Sequence, residues 1–346
     1  MAKPFLRAFA AAVAVLGALA AIGGLTFYFL NSPSPAIPAE GRFFRVQKGE
    51  SLSLIAARLK EEGLLRSPLL IKVLARLTGS ELRYKSGFFR IRRGDTALDI
   101  HTLLVSGYQE QIKVTIPEGW TLKQIARHLE SRGVAGRDSF LAAASSPKLL
   151  RGFRVPAESL EGYLYPDTYF FPAGYPAEAV VEQMAVNFFD HLKLIAPEAA
   201  GMSPRELHER LTVASIVERE YRRAEEAPLI ASVFYNRLRY NIGLESCATL
   251  EYIITDIEDR PHPPFLTAED KKIDSPYNTY KWAGLPPGPI SNPGRVALEA
   301  ALRPARTGYF YFVLKDPESG THYFSESLKQ HNWAKYLYLK QVGAGS

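Results

Sequence analysis

The sequence of 346 residues contains one cysteine, Cys247. A single thiol cannot close an internal disulfide, so the chain must be held by core burial and not by cross-links. Metal-ligand spacing is also missing. His262 sits among Pro261, Pro263 and Pro264 as a loop residue, and His322 and His331 have no Cys or Asp at ligating intervals. Neither a metal nor a cofactor is expected. No RRM, KH or helix-turn-helix spacing is present, and Lys and Arg are scattered apart from short clusters such as Arg90 to Arg93. The formal charge of +6 therefore suits anionic lipid headgroups or an acidic polymer, and no nucleic-acid partner is expected. Cys247 lacks the Ser-His-Gly-x-Cys context of cysteine transpeptidases, which argues against it as a nucleophile.

A hydrophobic content of 47% is ample for packed cores and excludes a disordered chain. The stretch from Ala8 to Leu30 carries no charge and is long enough to cross a hydrocarbon core as a helix. Lys3 and Arg7 precede it, so the positive-inside rule puts residues 1–7 in the cytoplasm and the rest outside, with Tyr28 and Phe29 at the outer interface. The alternative is a signal peptide cleaved around Ala18 to Ala21, which also exports the remainder. Pro33, Pro35 and Pro38 make residues 31–41 a stiff, extended spacer in this reading.

From Arg42 a pattern begins that returns twice. Val46, Gly49, Ser51, Leu52, Ile55, Ala56 and Leu59, closing at Gly63, have a strand-like lead, a turn, a cap and helical apolar spacing. Gly119, Thr121, Leu122, Ile125, Ala126 and Leu129, closing at Gly133, match position for position. Gly94, Thr96, Ile100 and Leu104, closing at Gly107, match more loosely. Each unit reads as a short strand-turn-helix. The run from Gly49 to Ala56 resembles the LysM module, a βααβ fold associated with N-acetylglucosamine polymers. The matched positions equally describe packing units that bind nothing, because they are cap and core positions.

Near Ser159 the texture changes to aromatic-rich segments, long helices and loops rich in Pro and Gly. Ser203, Pro204 and Glu206 form a capping-box start for a helix reaching about Tyr221. Leu207, Leu211, Ala214, Glu218 and Tyr221 share one of its faces, so Glu218 interrupts an apolar stripe with a carboxyl group. Burial there raises the carboxyl pKa and keeps a donatable proton near neutral pH. The alternative is a structural ion pair with Arg237 on the next helix; Glu220 should point elsewhere.

The run Ala214 to Glu220, with Glu226 and the segment Ala231 to Leu238 after it, resembles the core signature of the endolytic murein transglycosylase (YceG-like) family. Ser159 to Tyr169, with Glu161, Gly162, Pro166, Asp167 and Thr168, is similar to an upstream family segment. Ser275 to Tyr280, Gly284 to Ile290, Asn292 to Gly294 and Tyr309 to Val313 follow in the family's order. One segment departs: Glu245, Ser246, Cys247, Ala248 and Thr249 stand where the family usually shows Gln, Ser or Thr, Asp, Pro and Thr.

The resemblance implies an α+β fold: cytoplasmic residues 1–7, a transmembrane helix over 8–30, the linker 31–41, a LysM-like βααβ subdomain over 42–110, a connecting segment with the second repeat over 111–158, and a mixed α/β catalytic domain over 159–342. It implies a lyase, single-pass in the inner membrane with its domain in the periplasm, acting on peptidoglycan glycan strands beside synthases or division proteins. Glu218 matches the catalytic glutamate. Asn236 would orient the acid or the substrate acetamido group, or else serve as a helix-to-helix hydrogen bond. Tyr277, Asn278, Thr279 and Tyr280, with Trp282, offer sugar-binding faces or simple packing, and Glu161 joins them as an orienting residue. A non-catalytic peptidoglycan-binding scaffold is the rival reading, motivated by the altered 245–248 segment.

Overall fold

A computed structural model describes residues 2–107 and 111–343, which fall into two compact units, residues 1–110 and 111–346. The first unit opens with α1 (Ala2–Asn31), whose stretch Val13–Asn31 has a mean hydropathy of 2.1 and no buried residue, so it is long and apolar enough to cross a membrane. The segment 31–41 is not an extended rod. Ile37 is buried in the core of this unit, Ser34 Oγ donates to the Gly63 carbonyl and Arg66 Nε to the Pro33 carbonyl, so an apolar anchor and two tethers draw the prolines into turns.

The unit continues as β1 (Arg42–Val46), α2 (Leu52–Glu61), α3 (Pro68–Leu77), β2 (Gly87–Ile91) and α4 (Ala97–Ser106). β1 and β2 pair antiparallel, Arg42 opposite Ile91 and Val46 opposite Gly87. Phe44 and Phe89 point from the ribbon onto Ile55, Leu59, Ile71 and Ile100 from the helices, all buried. Each such side chain contributes about 1.5–3 kcal/mol.

The second unit contains β3 (Gln111–Thr115), α5 (Leu122–Ser131), α6 (Arg137–Ala144), α7 (Pro147–Gly152), β4 (Thr168–Pro172), α8 (Ala177–Ile195), α9 (Pro204–Glu220), α10 (Ala227–Arg239), α11 (Cys247–Tyr252), α12 (Arg295–Leu302), β5 (Tyr311–Asp316), β6 (Thr321–Ser325) and α13 (Leu328–Gly343). β3 pairs with β4, Gln111 opposite Pro172, and β5 with β6. The 111–158 segment is therefore no separate connector. One continuous core runs from Val114 and Ile125 through Phe140, Tyr163 and Phe188 to Ile216, Ile230 and Leu298.

All three sequence repeats fold as strand-turn-helix. Their turns pass through Gly49, Gly94 and Gly119 at positive φ, and Ser51, Thr96 and Thr121 accept from the backbone N–H of Leu54, Asp99 and Gln124. In α9, Ser203 caps by accepting from the Glu206 N–H, and Pro204 occupies the first helical position. The capping box is only half made, since Glu206 is solvent-exposed and makes no return bond among the described residues.

Candidate active site

Glu218 lies in the last turn of α9, one to two turns beyond the buried Leu211 and Ala214 on the same face. Its Oε2 accepts from the Gly294 N–H at 2.8 Å, and the Tyr221 hydroxyl stands 3.5 Å from Oε1. Burial pushes the carboxyl up to about 7; the Gly294 N–H opposes that shift and the nearby Glu118 carboxylate adds to it. The expected alternative of an ion pair with Arg237 is not formed. That guanidinium donates to the carbonyls of Phe310, Gly243 and Leu244 and lies 3.4 Å from Glu245 Oε2. The adjacent Arg219 is taken by Glu251 at 2.8 Å. A half-buried carboxyl near neutrality, without a hydrogen-bonded cation among the described residues, can give a proton and take one back.

Two glycines frame this group. A Cβ on Gly119 would lie 3.4 Å from Glu218 Cγ, and one on Gly294 would lie 1.9 Å from Glu118 Oε1. In this arrangement the Glu118 carboxyl occupies the space that a side chain at position 294 would take, so a larger residue there must displace it. The exposed Glu118 was not anticipated from the sequence. The signal was there: in the repeats the residue before the turn glycine is Lys48, Arg93 and then Glu118, so the unit beside Glu218 reverses the charge.

Asn292 ties this corner together. Its carbonyl accepts from the Gly119 N–H, its N–H and side-chain amide both donate to the Trp120 carbonyl, and its Oδ1 accepts from the Leu164 N–H. The same amide donates to Glu161 Oε1 at 2.9 Å. Glu161 is buried against the first N–H of α5, accepting from Leu122 at 3.0 and 3.2 Å. Burial pushes its carboxyl up to about 8 against the pull of those donors. Glu161 thus reaches the Glu218 corner through Asn292, joining the 159–164, 119–122 and 290–294 segments.

The other expected residues lie elsewhere. Asn236 donates to the carbonyls of Thr307 and Tyr309, both at 2.9 Å, and makes no hydrogen bond to Glu218. Tyr277 packs on Tyr252 with ring centroids 5.2 Å apart. The fully buried Asn278 donates to the carbonyls of Lys271 and Ile273 and accepts from the Tyr280 N–H. Thr279 Oγ1 accepts from the Ser246 N–H, and the Tyr280 hydroxyl stands 3.2 Å from Cys247 Sγ. This loop therefore clasps the 245–249 segment. Glu220 does point away from Glu218; it is half-buried and accepts from Ser246 Oγ at 2.5 Å, and desolvation of its carboxyl pushes it up to about 7.

Residues 44–336 match the YceG-like family. The chain belongs to that family. A relative from Bacillus subtilis (strain 168), named endolytic murein transglycosylase, is 31% identical over 312 residues, covering 85% of this chain and 84% of that protein. A protein of the same name from Streptococcus pneumoniae (strain ATCC BAA-255 / R6) is 28% identical over 94% of this chain, which spans 64% of the pneumococcal length. Among solved structures, a YceG-like protein from Listeria monocytogenes superposes with a TM-score of 0.56 at 29% identity, over 86% of this chain and 99% of that one.

Within this YceG-like chain the departing segment has a definite place. Glu245 takes a left-handed backbone (φ 52), Ser246 holds Glu220, Cys247 is exposed at the start of α11 and Ala248 is buried. None of these side chains hydrogen-bonds Glu218. Of the histidines at 262, 322 and 331, His262 lies 3.6 Å from Glu251, His322 Nδ1 lies 2.7 Å from Glu226, and the His331 ring stacks on Tyr311.

Proposed function

We propose that this chain is an endolytic lytic transglycosylase. It cleaves the β-1,4 bond between N-acetylmuramic acid and N-acetylglucosamine in nascent peptidoglycan strands and so ends their elongation. The observation that carries the reading is Glu218, a half-buried carboxyl near neutrality and hydrogen-bonded to the Gly294 N–H. The printed names of the relatives support the reaction class.

In this mechanism Glu218 donates its proton to the bridging oxygen as the C1–O bond breaks. The substrate's acetamido group supports the positive charge on the sugar. The C6 hydroxyl then attacks C1 and returns its proton to Glu218, leaving a 1,6-anhydromuramoyl end. No water is consumed and the acid is regenerated. In this reading Glu161 holds the segments beside Glu218 through Asn292, while Asn236, Tyr277, Asn278, Thr279 and Tyr280 act by holding the 305–310 and 245–249 segments.

The apolar helix anchors the chain in the inner membrane, with Lys3 and Arg7 on the cytoplasmic side and the residues after the helix outside. The strand-helix-helix-strand order of the first unit supports a LysM-like contact with glycan. Synthases or division proteins are the expected neighbours.

The test is digestion of purified glycan strands by the full chain in detergent and by Glu218→Gln, with product ends identified by mass spectrometry. Anhydro ends from the wild type alone support the proposal. No release by either protein leaves a binding scaffold, and reducing ends make Glu118 the second carboxylate of a hydrolase.

A further inference from the structure

A polar cavity of about 280 Å³ lies in the second unit at the end of α9, bounded by α10, the 244–247 segment, β5 and α13. Glu220, Arg237, Lys271, Tyr280, His331 and Lys335 line it. The volume suits one amino-acid-sized group.

Its polar groups are incompletely used. His331 Nδ1 is buried without a hydrogen-bond partner; the two other such atoms among the described residues, Arg137 Nε and Ser325 Oγ, lie outside the cavity lining. A buried nitrogen left unpaired is costly and calls for a partner that enters from outside. Lys335 makes no ion pair among the described residues, and Lys271 does no more than lie 4.7 Å from the centre of the Tyr280 ring. Glu245 is already engaged by Arg237 at 3.4 Å, and Glu220 by Ser246. The charge left to a ligand is therefore positive, which selects a carboxylate.

We propose that this cavity binds the carboxylate-bearing end of a stem peptide carried by the glycan strand. The proposal rests on the peptidoglycan reading above and names which part of that substrate is recognised away from the cut bond. The distances are compatible. Glu218 and Glu220 share the last turn of α9, a helix about 10–12 Å across with its side chains, and about four extended residues reach roughly 13 Å. Peptide binding at Glu220 would then hold the strand while its sugar lies against Glu218.

The experiment titrates a free stem peptide into the full chain in detergent by calorimetry, beside the same peptide with its terminal carboxylate amidated. Saturable binding that weakens at least fivefold in Lys335→Ala and Lys271→Ala, and equally on amidation, is the expected result. Absence of binding, or affinity indifferent to these changes, overturns it. A second arm compares cleavage of peptide-bearing and amidase-stripped glycan. Lys335→Ala is expected to lose a preference for the former while cutting stripped strands at the wild-type rate, and an unchanged preference contradicts the proposal. If neither glycan is cut, the transglycosylase reading fails, and the peptide titration still judges the cavity.

Discussion

Glu118 and Glu218 close on the same glycine. Gly294 gives its N–H to Glu218 Oε2 at 2.8 Å, while the space where its side chain would stand is filled by Glu118 Oε1, 1.9 Å from an ideal Cβ. Gly294→Ala must push the exposed Glu118 carboxyl out of its place beside Glu218. Activity is expected to fall on the order of 10–100-fold, with a modest loss of stability of about 1–2 kcal/mol. Strand-release kinetics and a denaturant melt measure the two effects separately.

The same pair sets the pH response. In the proposed mechanism Glu218 starts the reaction protonated, and burial raises its carboxyl to about 7, so the rate is expected to decline as pH rises through neutrality. Glu118→Gln removes a negative neighbour that favours the protonated acid. The alkaline limb should therefore move to lower pH in that variant, and a limb that stays in place argues against the coupling.

Stability should also depend on pH, through Glu161. Its carboxyl is raised from 4.5 to about 8, so between those values the folded chain holds a proton that the unfolded chain releases. The contribution is complete below about pH 4.5 and disappears as pH rises through about 8. Urea melts at pH 5 and pH 8.5 are expected to differ by roughly 2–5 kcal/mol in the wild type, with a smaller difference in Glu161→Gln.

Asn292→Ala removes the amide that joins Trp120, Leu164 and Glu161. Leaving these groups buried and unpaired is expected to cost about 2–4 kcal/mol, read as a lower denaturant midpoint. Asn236→Ala, which frees the carbonyls of Thr307 and Tyr309, should cost about 1–3 kcal/mol and leave the pH profile in place. A shifted profile would instead connect Asn236 to the acid.

These particulars show what a linear reading can reach. Signals that repeat within a few residues were legible: the glycine turns with Ser51, Thr96 and Thr121 as caps, the start of α9 at Ser203, and Glu218 on a buried stripe. Pairings made across long stretches of chain were not. β3 meets β4 some fifty residues later, which merges the 111–158 segment with the larger unit, and Ile37 draws the proline-rich stretch into a core that local composition does not reveal. Glu118 shows only as a reversed charge at one repeat position, since it is exposed in a turn and gains its meaning from Gly294 and Glu218, far along the chain. The Glu220 carboxyl is partly covered because Ser246 reaches it from the 244–247 segment, not because of its place on a helical face.

In the proposed mechanism Glu218 acts alone as acid and base, with the sugar's own C6 hydroxyl as nucleophile. This mechanism is tested most directly by digesting glycan strands with the full chain in water enriched in heavy oxygen and weighing the new ends. Ends one water lighter than a reducing sugar and free of the isotope are expected. Reducing ends carrying heavy oxygen would contradict the mechanism.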